Sequence, residues 1–140
     1  MFELIYRSIA DESFSQTDTS NILNTARLFN EENNITGCLI FYDGEFIQIL
    51  EGNQKLVQDL YANIEKDKRH NNVMLIAEGE KEERIFDNWS MAFHEFTNKD
   101  IKNINQALAI DNFISISKFT EKPTYAVELF WYMAKQLLEE

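Results

Sequence analysis

Two apolar runs, Ile35–Tyr42 and Glu45–Leu50, flank Asp43-Gly44, and this pattern predicts a β-hairpin. An Asp-Gly pair suits a two-residue turn because both central positions need positive φ. Along the second run Phe46, Gln48 and Leu50 face one way, Ile47 and Ile49 the other. Phe2–Ser8 alternates in the same manner, with Phe2, Leu4, Tyr6 and Ser8 on one face. The polar stretch Ile9–Gln16 reads as a turn. Asp18, Thr19 or Ser20 can cap a helix running to about Asn33, with Ile22, Ala26 and Phe29 as its apolar stripe and Asn30 on the border. Asn53 can cap a second helix, Gln54 to about Lys68, with Leu56, Leu60 and Ile64 in line and Val57 and Tyr61 beside them. Val73–Ala77 reads as a buried strand, Lys81–Asn88 as a charged connection and Trp89–Phe96 as a last alternating strand.

The predicted order is that of an α+β ferredoxin-like sandwich, βαββαβ plus a fifth strand, with two helices on one sheet face. The other face carries Ile5, Ile40, Ile47 and Ile49, which water would penalise, so something must cover it. Residues 97–140 are expected to do so as a C-terminal helical cap, part of the same globular unit as residues 1–96. Ile101, Ile104 and Leu108 have near-helical spacing, and Phe113–Phe119 reads as a short strand or a packed loop. Pro123 can open a final helix with Val127, Phe130, Met133 and Leu137 along one side. Ala126, Leu129, Trp131 and Tyr132 widen that face, which suits either a buried layer or a subunit interface.

Composition narrows the function classes. A chain of 140 residues allows one domain, and 44% hydrophobic residues mark it as globular rather than disordered. A net charge of −11 argues against nucleic acid and anionic membrane as partners, since both need basic surface. Cys38 is the sole cysteine, so no internal disulfide can form and a reducing compartment is expected. The N-terminus, MFELIYRSIADES, has no leader pattern, and no apolar run approaches the ~20 residues of a membrane helix. A cytoplasmic protein is expected.

Familiar catalytic patterns are missing. Gly37, Gly44, Gly52 and Gly79 stand apart, so there is no phosphate loop, and His70 and His94 lack metal-ligand spacing, so no metal is expected. No nucleophile-elbow pattern supports a serine hydrolase. Gln48 is the odd residue: it lies between Phe46 and Leu50 on a core face, and a buried amide must find partners. Those partners are either neighbouring groups or a ligand. Strand parity gathers Tyr6, Gln48 and Asn30 into one interior space, with Ile22 and Ile64 pointing at each other above it. Such a space suits a flat aromatic ligand, its edge read by polar groups. Lys68, Arg69 and His70 can meet an anionic tail or complement the helix dipole.

Together, LIYRS with Tyr6, ARLFN with Asn30, ITG and DGEFIQILEG with Gln48, KDKRH, and RIFDNWSM with Trp89 and Met91 resemble the BLUF domain, a flavin-based blue-light sensor. The resemblance runs from about Phe2 to Phe96. It implies FAD as cofactor, with FMN as the alternative, and a sensor rather than an enzyme. It implies that Tyr6 donates an electron to the excited flavin and that Gln48 relays the proton change. Asn30 would hold the ring's polar edge, Ile22 and Ile64 would sandwich it, and Asp67, Arg69 and His70 would lie along its other end. Arg27 is counted with the cofactor-binding positions, its alternative being a plain surface residue. Trp89 or Met91 would pass the change to the last strand. Output would go to a separate protein partner, with self-association as a further mode. Cys38 does not suggest a cysteine–flavin adduct, since no adduct motif surrounds it. The rivals are an acylphosphatase-type hydrolase, disfavoured by the acidic Ala10-Asp11-Glu12 where an anion loop would need arginine, and a light-insensitive binding module.

Overall fold

The architecture comes from a computed structural model of the chain that describes residues 1–86, 92–96, 128–130, 132, 133 and 136. Seven elements follow one another: β1 (Phe2–Ala10), α1 (Gln16–Glu32), β2 (Thr36–Tyr42), β3 (Glu45–Gly52), α2 (Gln54–Lys66), β4 (His70–Glu80) and β5 (Ala92–Phe96). They build a sheet of order β4-β1-β3-β2-β5. The pairings among the first four strands are antiparallel, and β5 joins β2 in parallel. The β1-α1-β2 crossover leaves a strand-wide gap, and the hairpin folds β3 back into it. Asp43 and Gly44 adopt φ of 48° and 77°, the two left-handed residues that the tight turn demands. This is the ferredoxin-like sandwich with its fifth strand.

Helix α1 starts earlier than the pattern suggested. Ser15 is its cap: the Ser15 hydroxyl accepts from the Asp18 N–H at 3.3 Å, and the Asp18 carboxylate accepts from the Ser15 N–H at 3.0 Å. Asp18 is therefore the third helical residue of a capping box, not the cap. The helix is also rotated from the expected stripe. Leu23 and Asn30, seven residues apart, are its buried line, while Phe29 is 36% exposed. Helix α2 begins as expected, with the Asn53 side chain accepting from the Leu56 N–H at 3.2 Å. It stops at Lys66, two residues short of the expected end, because Asp67 turns to extended backbone (φ −71°, ψ 121°). Strand β4 is longer than Val73–Ala77. It is an edge strand, and exposure of Met74 and Leu75 obscures its alternation.

Two cores result. Phe2, Leu4, Tyr6, Leu39, Phe46 and Leu50 pack beneath Leu23 and Val57 on the helix side. On the other face Ile5, Cys38, Ile40, Ile47 and Ile49 are each no more than 1% exposed, so that face is covered, as its composition requires. The helical cap expected over residues 97–140 lies largely outside the described residues; within its helical part, Phe130 is fully buried.

A charged cluster lies at the end of β3, on the parity of that second face. The Glu51 carboxylate is fully buried and accepts from Thr36 Oγ1 (2.6 Å), Lys81 Nζ (2.5 Å) and the backbone N–H groups of Ile85 (3.0 Å) and Phe86 (2.6 Å). Lys81 Nζ also meets Glu3 at 2.8 Å, and Arg84 donates to Thr36 Oγ1 at 2.9 Å. One carboxylate thereby fastens the irregular connection after β4. Glu51→Gln would leave Lys81 and two backbone donors facing a neutral amide that has a donor end of its own. Removing one partner of a buried pair costs about 3–5 kcal/mol. We expect a loss near the lower end of that range, because Glu3 still pairs with Lys81; urea unfolding of the two proteins measures it.

Candidate functional site

The central position of β3 decides the site. Gln48 lies opposite Tyr6 on β1 and opposite Leu39 on β2, so all three side chains share the helix face. The Tyr6 hydroxyl donates to Gln48 Oε1. Both residues are almost wholly buried, at 4% and 5% exposure. Burial, with Tyr61 and Asp67 as nearby negative charges or potential charges, pushes the Tyr6 phenol far above its usual range. Tyr6 is therefore a neutral donor, and the Gln48 amide carries its own N–H donors at the end away from that bond.

Above this pair the helices and sheet enclose a cavity of about 260 Å³. The sheet contributes Tyr6, Leu39, Phe46 and Gln48; α1 contributes Ile22, Thr25, Ala26, Phe29 and Asn30. Leu60, Asn63 and Ile64 come from α2, and Asp67, Arg69 and His70 from the turn and strand beyond it. Ile22, Ala26 and Phe29, the stripe read from the sequence, are thus cavity wall rather than core. The walls are mainly aliphatic and aromatic, with buried amides at Asn30 and Gln48.

The segment after α2 is held from several sides. Arg69 Nε donates to both Asp67 carboxylate oxygens at 2.9 and 3.1 Å, and the Arg69 backbone N–H adds a bond of 2.9 Å. These bonds, led by the side-chain one, hold the Asp67 carboxyl below the usual carboxylate range and raise the guanidinium of Arg69. The Arg69 carbonyl accepts from the Asp11 N–H at 2.9 Å, tying the turn to the loop after β1. His70 Nε2 lies 2.5 Å from the Ile64 carbonyl, which can only accept, so Nε2 carries a proton. In the neutral ring Nδ1 then accepts from the Ser8 hydroxyl at 2.8 Å. The ring sits edge-on to Tyr6 and Phe46, with centroids 6.5 and 6.3 Å away.

Of the residues singled out from the sequence, Tyr6, Ile22, Asn30, Gln48, Ile64, Asp67, Arg69 and His70 come together around this one cavity. Arg27 does not: it stands on the exposed side of α1, because one residue beyond Ala26 a helix has turned by about 100°. Trp89 and Met91 lie outside the described residues. Sequence reasoning missed Thr25, Leu39, Phe46, Leu60 and Asn63 as lining residues. The signal was present in part, since Thr25 is one turn from Ile22 and Leu39 faces Gln48 across the hairpin. Cys38 is on the opposite sheet face, and burial raises its thiol well above the ordinary value.

A family model described as BLUF, sensors of blue-light using FAD, matches residues 1–92. Photoactivated adenylate cyclase subunit alpha of Euglena gracilis is 37% identical over 86 residues, 61% of this chain and 8% of that protein. Subunit beta from the same organism is 37% identical over 83 residues, 59% of this chain and 10% of that protein. The chain thus spans a tenth or less of these relatives. Among solved structures, BlsA in a photo-activated state matches with TM-score 0.70 and 27% identity, covering 99% of this chain and 95% of that one. A bacterial light-regulated adenylyl cyclase matches with TM-score 0.68 and 29% identity, covering 84% of this chain and 35% of that one.

The Asp67–Arg69 pair gives a pH prediction. A carboxyl whose folded value is depressed stabilises the fold above its unfolded value of 3.8, and the contribution is lost as pH falls through the folded value. Both side chains are partly exposed, at 28% and 41%, so solvent screening keeps the effect on stability small. Following the Asp67 carboxyl carbon by NMR should show titration below the usual range. In Arg69→Leu it should return toward 3.8.

Proposed function

The chain belongs to the BLUF family, sensors of blue light using FAD, and on that premise we propose that Tyr6 and Gln48 form its light-responsive pair. The observation that carries this reading is the buried hydrogen bond from the Tyr6 hydroxyl to Gln48 Oε1 at the floor of the cavity. The lining fits the cofactor. Ile22 and Ile64 offer aliphatic surfaces to a flat ring, Asn30 and Gln48 offer amides to its polar edge, and Asp67, Arg69 and His70 line its other end. FAD is the cofactor we assign, by the family's usage.

Flavin, when bound, supplies a chromophore that absorbs blue light and oxidises a neighbouring phenol in its excited state. Tyr6 is the phenol in place. It gives up an electron, and its proton passes along the existing hydrogen bond to Gln48 Oε1. The protonated amide reorganises, by rotation or tautomerisation, so that the side facing the cofactor exchanges one hydrogen-bond role for the other. When electron and proton return to Tyr6, the new arrangement of Gln48 is left behind. No net reaction occurs.

The chain acts as a sensor without catalysis of its own, and its output is a change of contact with a protein partner. Relatives named as photoactivated cyclases support this, because there the sensor accompanies an effector. Trp89 or Met91 carries the change of Gln48 to β5.

Absorption spectra of the flavin-loaded protein test the reading. In the dark, after blue light and after a dark interval, the flavin bands should move to the red and then recover. Gln48→Leu removes the amide and Tyr6→Phe removes the donor, so each should abolish the shift while flavin stays bound. A shift that survives in either variant, or no shift in the parent protein, refutes the assignment.

A further inference from the structure

Tyr6 has a second phenol beside it. The Tyr61 ring, on α2, lies 5.5 Å from the Tyr6 ring between centroids, with the planes tilted by 49°. Tyr6 is almost wholly buried, whereas Tyr61 is half-buried and reaches solvent. The two rings therefore connect the floor of the cavity to the surface. Partial burial raises the Tyr61 phenol, and the charges of Glu65, one helical turn beyond it, and Glu78, on β4, add to this. Both glutamates are exposed to solvent.

We propose that Tyr61 is a redox outlet for Tyr6, giving the protein a second, slower light reaction in which electrons from an external thiol accumulate on the cofactor. The inference rests on Tyr6 being the photochemical donor. After Tyr6 has lost its electron to the cofactor and its proton to Gln48, the neighbouring ring refills it. Tyr61 passes one electron to Tyr6, which takes its proton back from Gln48. The phenolic proton of Tyr61 leaves to Glu65, Glu78 or water. The outcome is an intact Tyr6, a neutral tyrosyl radical at Tyr61 and one electron retained by the cofactor. A thiol then gives a hydrogen atom to the Tyr61 radical and is itself oxidised toward disulfide.

Two geometric facts favour this route. The rings are in near contact, 5.5 Å between centroids, and donor and acceptor are both phenols, the outer one reaching solvent where its proton can leave. The transfer competes with direct return of the electron to Tyr6, so the product builds up over many excitations rather than in one. The two carboxylates beside Tyr61 give the departing proton a place to go.

The test uses the flavin-loaded protein, its Tyr61→Phe variant and its Tyr6→Phe variant under continuous blue light without oxygen, with dithiothreitol as donor. Two signals are read: bleaching of the flavin band, and mass-spectrometric mapping of the adduct formed with a nitroso spin trap added in place of the thiol. The parent protein should bleach slowly and carry the adduct on Tyr61. Tyr61→Phe should keep the reversible red shift, lose the adduct and bleach at least several-fold more slowly. Equal bleaching in Tyr61→Phe, or an adduct at another residue, overturns the outlet while leaving the Tyr6–Gln48 reading intact. If the parent protein shows no red shift, or if Tyr6→Phe retains one, the reading beneath the outlet fails and the outlet falls with it.

Discussion

A buried amide in the middle of a sheet constrains everything around it. Gln48 lies on the strand flanked by β1 and β2, where apolar side chains are expected, and leaving such an amide unsatisfied costs about 1–3 kcal/mol. The chain meets that demand with register. Antiparallel pairing puts Tyr6 opposite Gln48, and the phenol reaches the amide oxygen. A slip of one residue would send Tyr6 to the other sheet face and bring Arg7 beneath the helices. The hairpin turn at Asp43-Gly44 and the apolar demands of both faces hold the register, so the hydrogen bond inherits its precision from the core.

The same strand carries a second polar device three residues on. Odd-numbered positions of β3 face away from the cavity, and Glu51 is among them. Its carboxylate collects four donors, two of them backbone N–H groups of the connection that follows β4. A connection without regular structure has no hydrogen-bond ladder to fix it, so a buried acceptor does the fixing. Lys81 balances that charge and shares it with Glu3. Gln48 and Glu51 thus anchor opposite sides of one rigid strand: one holds the cavity floor, the other the path toward β5.

Much of this was legible in the sequence, and the gaps have physical causes. Alternation in β1 and β3 revealed which residues share a face, because both strands are central and fully sandwiched. It failed for β4, where an edge exposes Met74 and Leu75 whatever their parity. Helical periodicity located α1 but mistook a cavity wall for its core face. Aliphatic residues line ligand cavities as readily as they fill cores, so hydropathy alone does not separate Ile22 from Leu23. The Ser15 cap was hidden by its serine-rich surroundings, where Asp18, Thr19 and Ser20 are equally good cap residues in isolation. Glu51 gave no local signal at all. Its partners are 15 to 35 residues away, and a charged residue at a strand end reads as surface until the connection folds over it.

The proposed mechanism limits what the rest of the molecule must be. Rearranging one hydrogen bond changes free energy by about 1 kcal/mol, which biases an equilibrium by roughly five-fold. A soft frame would dissipate that change in small relaxations around Gln48. A stiff one, with interior side chains close-packed and each buried polar group tied to its neighbours, passes it on to whichever element is already near balance between two arrangements. β3 is bonded along both edges, with Gln48 tied to Tyr6 on one face and Glu51 tied to Thr36 and Lys81 on the other. The element proposed to move therefore lies at an edge of the sheet: β4 and β5 are each paired to a single strand among the described residues, and β5 is the one to which the connection held by Glu51 leads.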